Sequence, residues 1–138
     1  MIIKYTDTKN GFSLQLPGWW RRYIVVKRTS RLGDLQFLFK YKGKVYIDVL
    51  TVSVYRMTRK QWRAQYKDSP IIFLAERDGR IFAYSLPEEM PDEFLNKAGD
   101  DYDYKKYGRP IRMLRRMVNK DVPKIVKTLK LINRKTTR

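Results

Sequence analysis

Cysteine and histidine are both absent from this chain, and their absence removes most of the familiar catalytic and metal chemistry. Without thiols there is no disulfide framework, no thiolate zinc site and no cysteine nucleophile. Without imidazole there is no Ser-His-Asp triad and no Cys-His pair. Acid-base work near neutral pH would fall to a carboxylate, a lysine or a tyrosine with a displaced pKa, and no motif in the sequence points to one. Long apolar runs are missing too. No stretch approaches the roughly 20 residues of a membrane helix, and the opening "MIIKYTDTKNGF" lacks the apolar run of a signal peptide. As written, the chain is expected to be cytoplasmic; a leader removed upstream would make it extracellular or membrane-anchored. Phosphate loops are also excluded: "KGK" at 42–44 has no glycine at the required upstream interval and no Ser or Thr after Lys44, and the seven glycines form no dinucleotide fingerprint.

Acids are scarce. Against 31 Lys and Arg stand only 14 Asp and Glu, so the 138-residue chain carries +17. Such a field attracts polyanions, whether acidic protein, nucleic acid or anionic lipid headgroups, although it can also serve solubility alone. Apolar residues make up 43% and aromatics 14%, enough to bury one core and to exclude a disordered chain. A single domain over residues 1–132 is expected, with "NRKTTR" at 133–138 as a frayed basic tail.

"GFSLQLPGWW", residues 11–20, alternates Phe12, Leu14 and Leu16 with Ser13 and Gln15, the pattern of a half-buried strand. Further extended segments are expected at 23–28 and 35–41. A "KGK" turn then leads into the long run 45–55, whose second half should have Leu50, Val52 and Val54 on a covered face and Thr51 and Ser53 on a wet one. Thr58 and Gln61 form a capping box, Met57 is placed to staple onto Trp62, and Trp62 and Tyr66 share a face, so a helix should run from Thr58 to about Asp68 and cover a sheet. "IIFLAER", 71–77, is continuously apolar at its start and reads as a central strand buried on both sides. Asp78-Gly79 is a two-residue turn signal that returns it antiparallel through 80–86. Residues 109–119 read as a helix. A second helix can start at Asp121 as N-cap, with Pro123 in its first turn, and "LKLI" at 129–132 finishes the helix or forms an edge strand. Strands with helices packed on them make an α+β domain with an antiparallel or mixed sheet.

Several of these phrases, "GFSLQLPGWW", "FLFKYK", "DVLTVSVY", "IIFLAERDGRIFAYSLPEEMP" and "VPKIVKTLKLI", together with the order of elements, resemble the PsbP-like family, which includes the thylakoid oxygen-evolving subunit, a yeast Ran-binding protein and small bacterial lipoproteins. The resemblance spans about residues 11–132. It implies a six- or seven-stranded antiparallel sheet in an α/β/α sandwich, and a family that mostly binds proteins and lacks catalysis. This chain departs from the family's pattern in lacking an anchor cysteine, an export signal and histidine, so no functional residue is carried over.

Charge is unevenly distributed. Residues 88–103 hold seven acids and one base, whereas 104–138 hold thirteen bases and one acid, Asp121. Arg109, Arg112 and Arg116 fall on one helical stripe with Arg115 beside it, and Lys120, Lys124, Lys127 and Lys130 continue the basic character. These eight residues are the candidate partner-binding surface, for an acidic protein or other polyanion, with nucleic acid as the alternative. The plain competitor is a solvated helix face, but ordinary faces mix signs. "GRIFAYS" faintly resembles an RNA-recognition strand, yet four strands before the first helix do not fit that topology. Asp100, Asp101 and Asp103 could gather a hard cation. Counted as a calcium loop from Asp101, however, the sixth and twelfth places hold Lys106 and Arg112, so no metal and no cofactor is expected, and the acids should pair with the neighbouring basic helices. Trp19 and Trp20, if they stay in an extended segment, should point to opposite sides, one buried and the other a candidate contact; if the Pro-Gly turn breaks the strand, the pair can instead plug the end of the sheet. The expected function is therefore a non-catalytic binding module.

Overall fold

Period-two alternation resolves into strands in the computed structural model, which describes residues 1–29 and 33–132; the segment 133–138, expected to fray, lies outside the described residues. In chain order the strands are β1 (Ile2–Asp7), β2 (Phe12–Pro17), β3 (Ile24–Arg28), β4 (Leu35–Tyr41), β5 (Lys44–Arg56), β6 (Ile72–Arg77), β7 (Arg80–Ser85) and β8 (Lys130–Leu131). Helix α1 (Arg59–Tyr66) follows β5, and α2 (Tyr104–Arg116) and α3 (Val122–Val126) precede β8. The fold is α+β, but the strands form two sheets, β1-β2-β8 and β3-β4-β5-β7-β6, instead of one of six or seven strands. Every strand pair is antiparallel. The division occurs at Pro17, which has no N–H to continue a ladder. From there the chain winds through a 3-10 turn at Gly18–Arg22 and enters the second sheet at Ile24.

One buried cluster draws on both sheets and the C-terminal helix, including Phe12 and Leu14 of β2, Phe37 of β4, Phe82 of β7, Ile111 of α2 and Ile125 of α3. Two edge-to-face ring pairs join the sheets, Phe12–Phe82 at 6.0 Å and Tyr5–Phe37 at 5.5 Å between centroids. Each fully buried phenylalanine contributes about 1.5–3 kcal/mol. Along β5, Phe37 pairs with Leu50 but Leu38 with Asp48. The extra residue, Val49, is a bulge, which is how Val49 and Leu50 are both fully buried.

A smaller cluster lies under α1. Thr58 and Gln61 close the expected capping box, and Trp62 packs on Ile81 and Ala83, with Met57, Tyr66 and Phe73 around it. This layer overturns the expectation that one face of β5 is wet. Ser53, register partner of Ala83, and Thr51 are both buried, on the face that α1 covers.

The 72–85 hairpin turns at Asp78 (φ 53°) and Gly79 (φ 75°), and the 35–56 hairpin at Lys42 (φ 49°) and Gly43 (φ 77°), both as two-residue left-handed turns. The first hairpin reverses one expectation. The central strand is β7, buried over its first four residues, whereas β6 is the sheet's edge, half-buried at best. The apolar run of β6 has another cause: Phe73 packs toward Trp62 and Leu74 and Ala75 toward the main core, so both faces carry packed apolar side chains while, among the described residues, the outer edge stays unpaired.

Candidate functional site

The basic C-terminal segment folds as one helical rod with two irregularities. The Asp103 carboxylate accepts from the Lys106 N–H at 2.9 Å and starts a first turn. Tyr107 then leaves helical geometry (φ −115°, ψ 19°). The straight run therefore begins at Gly108, which places Pro110 in a first turn where its missing N–H costs little. At Met117–Asp121 the rod widens into a π turn, with the Val122 N–H donating to the Met117 carbonyl. Pro123 explains the widening, since in a regular helix its ring would strike the carbonyl four residues back.

Asp121 is consequently not an N-cap: its backbone is helical and its side chain caps nothing. It is buried, and its Oδ2 accepts from the indole N–H of Trp19 at 2.9 Å and of Trp20 at 2.8 Å. The two rings do not point to opposite sides, as an extended segment would require: the strand breaks at Pro17, the other case expected, and residues 18–22 are a 3-10 turn, which splays neighbouring side chains far less than a strand does. Trp20 is fully buried. Trp19 is half-buried, 5.9 Å from the Tyr23 ring, with the Arg116 guanidinium 4.6 Å above it.

This arrangement sets the electrostatics of the rod. Asp121 is the sole acid between residues 104 and 132, and it is turned inward. Arg109, Arg112, Arg115, Arg116, Lys120, Lys124, Lys127 and Lys130 are all exposed, while Ile111, Leu114, Met117, Val122 and Ile125 face the core. Among the described residues none of the eight forms an ion pair. Arg115 is tied down: it donates to the Tyr104 hydroxyl at 3.0 Å and shares a 240 Å³ groove with Glu88 and Glu89.

Among the described residues the acidic segment forms no ion pair with the basic helices, contrary to expectation. Glu93 pairs with Lys44 at 3.3 Å, in the β4–β5 turn. Its own backbone N–H, and then Lys44, hold its carboxyl below the usual range. Asp100 accepts from Asn96, Asp101 from the Tyr102 N–H and Asp103 from Lys106. These carboxylates shape their own loop, and no three acids converge on a common point among the described residues.

Two features carried no sequence signal in the form that matters. The role of Asp121 was legible only as its solitude among thirteen cations. Arg77, on β6, joins Lys127 and Lys130 across a groove that only the tertiary fold creates. No described helix is long and apolar enough to cross a membrane. No family model, curated protein or solved structure matches the chain.

Proposed function

We propose that this protein is a non-catalytic binding module that engages an acidic macromolecular partner through the outer face of the α2–α3 rod. One observation carries the reading: the rod's only acid is buried, so its exposed face presents Arg109, Arg112, Arg116, Lys120, Lys124 and Lys127 with no counter-charge of its own, and Lys130 follows on β8. Cations held on a rigid helix keep their spacing on a partner, and the released counterions make binding steeply salt-dependent. The scaffold belongs to the same proposal. The phrases that resemble the PsbP-like family supply β2 with its 3-10 turn, the β4–β5 and β6–β7 hairpins, and α3 with β8, and that family's protein-binding habit favours an acidic protein over nucleic acid.

Polyglutamate titrated at rising salt tests this directly. Wild type is expected to bind with an affinity that falls steeply with salt, and charge reversal of Arg112, Arg116, Lys124 and Lys127 together should weaken binding by about a hundredfold or more. Undiminished binding by that variant rejects the rod as the site. Gel retardation of DNA or RNA at salt concentrations where polyglutamate has dissociated would transfer the face to nucleic acid.

A further inference from the structure

Among the described residues β6 is hydrogen-bonded on one side only, to β7. In a two-residue hairpin Arg77 and Arg80 exchange hydrogen bonds, so the next pair, Glu76 and Ile81, does not, and the Glu76 N–H and C=O face away from the sheet. Ile72 on the same strand is 43% exposed. Native sheets blunt such edges with proline, bulges or inward charges, because an open apolar edge is a template for another strand. Here the strand carries a bulge between Phe73 and Ala75, but among the described residues no strand pairs with its outer side, and its residues form one wall of a groove.

That groove has a volume of 690 Å³ and runs between β6 and the end of the rod. Ile72, Leu74 and Ala75 line one wall, Val126, Leu129 and Leu131 the other. Three cations stand at it, Arg77 from β6, Lys127 from the end of the rod and Lys130 from β8. A second copy of a +17 chain meets like charge at this groove. An acidic strand meets complementary charge.

We infer that the open edge of β6 receives an extended acidic segment of a partner protein as an added antiparallel strand, its alternate apolar side chains entering the groove and its carboxylates meeting Arg77, Lys127 and Lys130. The inference rests on the proposed function and narrows it. Main-chain hydrogen bonds supply affinity and the alternate side chains supply specificity, whereas the remaining cations on the rod steer the encounter.

A fluorescent eight-residue peptide alternating valine with glutamate, read by anisotropy beside polyglutamate of equal charge, tests it. The alternating peptide is expected to bind at least about tenfold more tightly than polyglutamate, and to slow hydrogen exchange at the Glu76 amide in the unmodified protein. Glu76→Pro removes the outward N–H together with a carboxylate, so it is compared with Glu76→Gln, which keeps the N–H, and should bind the peptide about tenfold more weakly than that variant; Arg77→Glu with Lys130→Glu should lower peptide affinity by about tenfold from wild type. Arg112→Glu with Arg116→Glu should instead weaken polyglutamate more than the peptide. Equal affinity for both ligands, or an unprotected Glu76 amide at saturation, overturns the added strand while leaving the rod as a polyanion face. Failure of both ligands to bind at low salt overturns the two readings together.

Discussion

The Trp20 indole N–H donates to Asp121 Oδ2 at 2.8 Å, joining residues 101 positions apart, and the same oxygen accepts from Trp19. One carboxylate therefore fastens the turn after β2 to the π turn of the rod. Asp121→Ala would leave the buried Trp20 donor unsatisfied and release Trp19, and should lower the unfolding free energy by about 2–4 kcal/mol. Asp121→Asn keeps a carbonyl oxygen as acceptor and should lose about 1 kcal/mol. Urea unfolding followed by tryptophan emission distinguishes the two, and equal losses would mean that the carboxylate's charge, not its acceptor geometry, holds the turn.

Local chemistry was legible where one segment decides its own structure. The Thr58–Gln61 capping box, the two left-handed turns and the alternation of β4 are written within a few residues, and each forms as read; β2 forms where expected, but Ser13, read as facing outward, is buried. What could not be read depends on partners distant in sequence. β6 looks central because its residues are apolar on both faces, but which strand of a hairpin takes the inner place depends on how β5 pairs. Asp121 looks like a cap because aspartate before Val-Pro usually is one, and only the arrival of two indoles from 101 and 102 residues away makes it an acceptor inside a continuous helix. β1 has just two apolar residues on its inward face, Ile3 and Tyr5, too few to stand out. The run of cations was legible from composition alone, whereas the burial of the rod's one acid follows only from the fold.

Trp62 presents the opposite case, a buried indole N–H with no partner among the described residues. An unsatisfied buried donor costs about 1–3 kcal/mol. Trp62→Phe removes that cost while surrendering part of the packing against Ile81 and Ala83, so stability should change by no more than about 1 kcal/mol. Trp62→Ala leaves a cavity between α1 and the sheet and should cost about 3–5 kcal/mol. If Trp62→Phe lost as much as Trp62→Ala, the indole nitrogen would have to be satisfied in solution.

Alkaline stability should decline through two tyrosines. Burial, then the Asp7 carboxylate, raise the Tyr5 phenol above its ordinary 10.0 against a smaller lowering by Arg28. Burial raises Tyr55 despite a hydrogen bond with Ser53. Both groups hold their proton more firmly folded than unfolded. Their stabilising contribution is thus complete below the unfolded value and is lost as pH rises through the folded one. Urea midpoints measured from pH 9 upward should fall less steeply in a Tyr5→Phe/Tyr55→Phe double variant than in wild type. Parallel curves would show that neither phenol titrates differently on folding.

Arg116 couples the proposed binding face to the core, because its guanidinium rests on the ring of Trp19, which is itself held by Asp121. A cation over an indole contributes about 0.5–1 kcal/mol at a partly exposed site. Arg116→Ala should therefore lower both polyanion affinity and stability, and it should shift Trp19 emission in the folded protein. Lys127→Ala, on the same face but over no ring, should lower affinity with stability changed by less than about 0.5 kcal/mol. Paired urea and polyglutamate titrations of the two variants separate the contributions. A stability loss in Lys127→Ala equal to that in Arg116→Ala would show that the rod's cations act on the fold through their summed charge, and that the stacking on Trp19 contributes nothing of its own.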